Sequence, residues 1–147
     1  MNTIPPRINL ITLGVADLER SIAFYEALGW RRSSVSVPGV VAFFRTAGPA
    51  LGLFPYEDLQ GDIGLPRAPR PAGFGGITLA VNVESADAVA AALAEAVVAG
   101  GTLVKAASRA DWGGTTGYFA DPDGYPWEVA HNPGFPFDER GLLDLPE

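Results

Sequence analysis

The sequence predicts an α+β fold: two tandem β-α-β-β-β modules forming one curved mixed sheet around a cleft, with the helices outside. Three observations predict it. The phrase ITLGV at residues 11–15 returns as ITLAV at residues 77–81, about half the chain later. Each copy runs into a segment whose apolar residues recur at helical spacing, and each such segment is followed by three short β-like runs. Self-similarity at a fixed offset is the mark of duplicated supersecondary units, each too small to bury a core alone.

In the first copy, ADLERSIAFYEALGW offers Asp17 as N-cap, Leu18, Ile22, Tyr25 and Leu28 as the apolar stripe, and Gly29 as the stop. In the second, SADAVAAALAEAVVAGG offers Ser85 as cap, Val89, Leu93 and Val97 as the stripe, and Gly100 and Gly101 as the stop. The β-like runs are 31–37, 40–45 and 50–55, then 102–107, 115–120 and 126–130, punctuated by Pro38–Gly39, Gly48–Pro49 and the turn Asp121–Pro122–Asp123–Gly124. The chain therefore divides into a first module (7–56), a proline- and glycine-rich linker (57–75), a second module (76–133) and a tail (134–147), all within one domain spanning 1–147. Joining the two sheets predicts a cleft inside the curve, a common setting for small-molecule sites.

Composition narrows the function. Hydrophobic residues make up 48% and charged residues 18%, which suits a folded domain. Seventeen acidic against ten basic side chains give a formal charge of −7, unfavourable for phosphate backbones and anionic membrane surfaces, so no nucleic-acid partner is expected. No apolar run approaches the ~20 residues that span a bilayer, and the N-terminal MNTIPPRINLITL lacks a signal-peptide core; the expectation is a cytoplasmic protein without a membrane partner. The chain has no cysteine, which excludes disulfides, thiolate metal sites and cysteine nucleophiles. No phosphate-binding glycine spacing is present, and with one histidine no Ser-His-Asp set is legible.

Taken with the paired modules, ITLGVADLERSIAFYEALGW (11–30) and GYFADPDGYPWEVAHNP (117–133) resemble the vicinal oxygen chelate superfamily, which holds glyoxalase I, extradiol dioxygenases, fosfomycin-modifying enzymes and bleomycin-resistance proteins. The resemblance covers about residues 7–133 and implies a cleft that, in metal-using members, holds a divalent ion on side chains from the first strand of each module and from the last strands. Position by position, those ligands would fall at Leu10, at Gly76, near Leu51 to Phe54, and at Glu128. Only Glu128 can coordinate. A catalytic divalent metal usually takes three or more protein ligands, so neither a metal nor another cofactor is expected. His131 does not repair the set, because residues 128 and 131 point to opposite faces of an extended strand.

The resemblance therefore implies a metal-free protein that binds a small organic molecule, as bleomycin-resistance proteins do. The alternative is a lyase, isomerase or dioxygenase using Glu128 as base or metal ligand; a module with a filled cleft is the third reading. Glu128 is the candidate catalytic residue, set against the plainer role of a satisfied carboxylate within a sheet. Candidate ligand-binding residues are Trp112, whose ring precedes Gly113–Gly114 and suits a stacking surface, with Tyr118, Thr12, Thr78 and Phe54. Tyr118 shares a face with Glu128 in one hairpin register and not in the next. Only one of Phe43 and Phe44 faces the cleft. The DPDG segment reads as a β-turn without chemistry. Family members often dimerise, which makes a homodimer the expected assembly.

Overall fold

Asp17 and Ser85 start the two long helices where their sequence positions place them: the Asp17 carboxylate accepts from the Arg20 N–H at 3.0 Å, and the Ser85 hydroxyl accepts from the Ala88 N–H at 3.1 Å. The computed structural model describes residues 3–147. In chain order the elements are β1 (Leu10–Val15), α1 (Leu18–Ala27), β2 (Arg31–Arg32), β3 (Ala42–Arg45), β4 (Ala50–Pro55), α2 (Tyr56–Asp62), β5 (Leu79–Asn82), α3 (Ala86–Val98), β6 (Thr102–Arg109), β7 (Thr115–Ala120) and β8 (Pro126–His131). Both modules are thus β-α-β-β-β. Among the described residues no helix is long and apolar enough to cross a membrane.

Two elements differ from the sequence reading. The run 31–37 pairs as a strand only at Arg31 and Arg32, because a turn follows in which Ser33, Ser36 and Phe43 exchange hydrogen bonds. The proline-rich connection opens with α2, whose first turn carries Glu57 and Asp58, charges that suit a helix N-terminus. Tyr56 at its start lies against Gly14 of β1, where a Cβ would come within 2.7 Å of the ring.

Among the described residues the eight strands form two four-stranded sheets, β1-β4-β3-β2 and β5-β8-β7-β6, with no ladder between them. Within each, the strand before the long helix pairs in parallel with the last strand of its module, and the others pair antiparallel. The two sheets turn their helix-bearing faces toward each other. Tyr25 of α1 shows this directly: its ring lies 5.8 Å from Phe44 of the first sheet and 6.1 Å from Trp127 of the second. One apolar core results, drawing Leu13, Leu51 and Leu53 from one sheet, Phe119, Trp127 and Val129 from the other, and Ile22, Phe24, Val89 and Leu93 from the helices. The opposite face of each sheet looks away from this core. Within one chain the two outward faces therefore lie on opposite sides of the shared core.

The DPDG segment is the expected turn, with Gly124 at φ +84° and its N–H donating to the Asp121 carbonyl. It also fastens the modules together. Buried Asp121 accepts from the Tyr25 hydroxyl at 2.7 Å, while that hydroxyl accepts from the Trp127 indole N–H at 3.2 Å. Asp123 accepts from the Ala16 N–H at 2.7 Å and the Ser21 hydroxyl at 2.8 Å, and the Tyr125 hydroxyl donates to the Gly14 carbonyl at 2.8 Å. Burial, reinforced by the neighbouring Asp123, holds the Asp121 carboxyl above the ordinary carboxylate range, against the pull of its hydrogen bonds from Tyr25 and the Tyr125 backbone.

Tyr25→Phe removes a buried donor and acceptor at once, and it is expected to cost about 1–3 kcal/mol in urea unfolding. The Asp121 shift has a definite sign. With the folded value raised, the folded chain holds its proton longer than the unfolded chain, so this group's contribution is full below the unfolded value and declines as pH rises through the folded one. The stability of wild type relative to Asp121→Asn is expected to fall as pH rises through that window, and a rise there would contradict the account.

Candidate functional site

Glu128 lies on the face of the second sheet that looks away from the core, between Trp127 and Val129, which point into it. The hairpin register sets Tyr118 directly opposite Glu128 and Ala80 on its other side. The Tyr118 hydroxyl donates to Glu128 Oε2 at 3.1 Å, and the Thr116 hydroxyl donates to Oε1 at 3.0 Å. All three side chains are half-buried. Partial burial first, then the charge of Glu128 and the hydrogen bond to it, push the Tyr118 phenol above its ordinary value, so it stands as a neutral donor. Thr116 was not among the residues singled out from sequence. Its place two positions before Tyr118 in TTGY carried the signal, since alternate residues of a strand share a face.

The first sheet presents Thr12, Phe43 and Phe54 on its outward face. Phe44 is fully buried on the core side, which settles the choice between the two phenylalanines. The outward side chains crowd round Gly52: a Cβ there would lie 3.1 Å from the Thr12 hydroxyl, 3.4 Å from Leu10 and 3.6 Å from Phe43. Thr12 and Glu128 are therefore on different sheets whose outward faces diverge, and one chain does not bring them together. Thr78 precedes β5 on an exposed stretch at the edge of the second sheet. Trp112 is 54% exposed and its indole folds over Gly114, where any side chain would collide with the ring.

His131 ends β8 in unbroken register with Thr115, and its Nδ1 lies 3.1 Å from the Val83 carbonyl oxygen. It faces away from Glu128, as the strand parity requires. The residues present do not fit a divalent metal. Glu128 has an alanine and a tyrosine as cross-strand neighbours, both its oxygens already accept from hydroxyls, and the outward residues of the first sheet at the corresponding strands are Leu10, Thr12, Gly52 and Phe54. Among the described residues no three His, Asp or Glu side chains gather to hold an ion.

The Tyr118 phenol is expected to titrate above 10.0, and Glu128→Gln to bring it part of the way back, since the charge leaves while the desolvation stays. Site-resolved NMR titration of the tyrosine ring carbons measures both. An unchanged Tyr118 titration in Glu128→Gln would show that the two groups do not touch.

The comparisons with known proteins agree with this architecture. The family model described as Glyoxalase/Bleomycin resistance protein/Dioxygenase superfamily matches residues 7–129. A glyoxalase-related enzyme from Fulvimarina pelagi is 37% identical, with a TM-score of 0.85 over 96% of this chain and 99% of that one. A glyoxalase/bleomycin resistance protein/dioxygenase from Nocardioides is 26% identical, with a TM-score of 0.74 over 88% of this chain and 85% of that one. The lactoylglutathione lyase of Agrobacterium tumefaciens, 21% identical with a TM-score of 0.64 over 88% of this chain and 96% of that one, shares the fold. No curated protein matches the chain. With its paired β-α-β-β-β modules and a family match over most of its length, the chain belongs to the glyoxalase/bleomycin resistance protein/dioxygenase superfamily.

Proposed function

We propose that the protein is a cytoplasmic homodimer that binds a small organic molecule without a metal, in a cleft where the outward face of the first sheet of one copy meets the outward face of the second sheet of the other. The observation that carries this reading is the state of Glu128: its carboxylate is held by two hydroxyls of its own sheet, and among the described residues it belongs to no group of three His, Asp or Glu side chains that could hold an ion. Two features support the second copy. β1 and β5 each have a single neighbour, leaving two bare edges of the kind that pair between chains. Leu10, on β1, is 45% exposed beside Phe43 and Thr12, an apolar surface suited to a covering partner. In such a dimer Phe43 and Phe54 offer flat apolar contact, and Tyr118, Thr116 and Glu128 offer polar anchors, the mixture typical of small-molecule sites. Trp112, at the tip of the β6–β7 loop, supplies a stacking ring at the rim.

The similarity to a glyoxalase-related enzyme favours a second reading, a lyase, isomerase or dioxygenase in which Glu128 acts as base or metal ligand. Glu128 on its paired hydroxyls is held in one orientation, which a general base needs.

Light scattering is expected to give a dimer, and Leu10→Asp to give folded monomers. Protein purified without chelators or an affinity tag should contain no stoichiometric nickel, zinc, manganese or iron, and titration with each should leave its melting temperature unmoved. A screen of small molecules by thermal shift then finds ligands of the native state, whose stabilisation weakens in Leu10→Asp and in Phe43→Ala. Tight metal uptake abolished by Glu128→Gln would replace the binding reading with the enzymatic one. Affinity for every ligand unchanged in Trp112→Ala would remove the stacking role.

A further inference from the structure

Besides the outward faces, the fold contains a concave space between the two sheets themselves, beside the β1 and β5 edges of the single chain. Its volume is about 460 Å3, inside the ~300–1,000 Å3 range of small-molecule sites. Ile11 and Leu51 line it from the first sheet, and Leu79, Val81 and Trp127 from the second. Trp30, following α1, meets Trp127 edge to face, with ring centroids 5.5 Å apart and planes at 88°. Among the described residues no Asp, Glu, Lys, Arg or His lines this space, although the chain as a whole carries a formal charge of −7.

The C-terminal tail forms one side of the mouth. Phe137 and Leu143 pair across a hairpin, and Leu142 and Leu143 lie on the lining, with Leu142 packed beside Gly48. The Asp138 carboxylate ties the turn, accepting from the N–H groups of Arg140 at 2.8 Å and Leu142 at 3.0 Å. The hydrogen bonds of this hairpin stay within the tail: Asp138 N–H to the Leu142 carbonyl, Gly141 N–H to Asp138, Asp144 N–H to Pro136. It rests on the body through leucine side chains, so it can lift without breaking a backbone bond to either sheet.

We propose that this inter-sheet cavity is a second binding site, taking a small uncharged apolar molecule, with the C-terminal hairpin as its lid. An ion entering it would lose its hydration and meet no countercharge, whereas an aromatic or alicyclic molecule exchanges water for two indole rings and branched aliphatic walls. Thr46 and Asn82 at the margin give a single hydroxyl or carbonyl of such a ligand a partner. The Glu128 side chain is not on its lining and projects from the other side of the second sheet, although the space reaches Thr78 and Ala80 at the β5 edge.

The uncharged fluorophore N-phenyl-1-naphthylamine tests this on the full chain. Saturable binding of one probe per chain is expected, with energy transfer from tryptophan that Trp112→Phe leaves in place, because Trp30 and Trp127 are the donors. The anionic 8-anilino-1-naphthalenesulfonate should bind at least about tenfold more weakly. Val81→Phe, which fills the cavity, and Leu142→Glu, which sets a charge at its mouth, should each weaken the neutral probe by about tenfold or more. Should Val81→Phe fail to fold, Leu142→Glu on the exposed hairpin decides alone. Absence of saturable binding, or binding indifferent to these variants, overturns the proposal. Probe binding lost in Phe43→Ala or Tyr118→Phe but kept in Leu142→Glu also overturns it, while leaving the dimer cleft standing.

Discussion

The contact of the Tyr25 hydroxyl with Asp121 and the Trp127 indole sets the rest of the molecule. A tyrosine from the first module is buried between aromatic rings of both sheets, and its one polar atom is answered from the second module. An unanswered hydroxyl or carboxyl at that depth would be costly, so the pairing admits one relative placement of the modules. The placement turns both helix-bearing faces inward. It leaves the face of Glu128 and the face of Thr12 directed away from each other, and it spends each module's apolar surface on the other. The modules fold as one body because neither has another way to cover Phe24, Phe44 and Trp127.

The chemistry at Glu128 follows from what surrounds it. Two hydroxyls on one carboxylate keep the charge solvated by protein dipoles, and the carboxylate keeps both hydroxyls oriented. The same arrangement argues against a cation. A divalent ion would have to displace those donors and would find leucine, glycine and phenylalanine where further oxygen or nitrogen ligands are needed. The Asp121–Asp123 pair, nearby in sequence, is committed to α1 and to the Ala16 backbone, on the opposite side of the sheet's end.

Much of this was legible in the sequence. Duplication exposed the two modules, side-chain caps placed both long helices, and strand parity separated His131 from Glu128 before any coordinates. The hairpin register was not legible, because a one-residue slip costs nothing in composition; the ladder Tyr118 to Glu128 is fixed by a turn in which the Asp121 carboxylate accepts from the N–H groups of Asp123 and Tyr125. The α+β fold of paired modules was legible as well; how the two sheets pack against each other is a finer matter. Alternation tells which residues share a face but not whether two such faces join at their edges or stack through their helices. The signal lay in the DPDG carboxylates, read as turn formers while their partners, Tyr25 and Ser21, lay about a hundred residues away.

Duplication has left the two outward faces unequal. The second sheet carries Glu128, Tyr118 and Thr116, whereas the first offers leucine, two phenylalanines and one threonine. Neither face alone has the composition of a good site: one lacks apolar contact and the other lacks anchors. Two copies of the polar face would set carboxylate against carboxylate, and two copies of the apolar face would make an interface with no recognition chemistry. Pairing unlike faces from two chains avoids both outcomes and, by symmetry, creates two equivalent clefts at once. In the dimer proposed here the inward staple at Tyr25 has a second consequence, since the contact that completes the core holds the complementary faces of one chain apart and each cleft then draws on two copies.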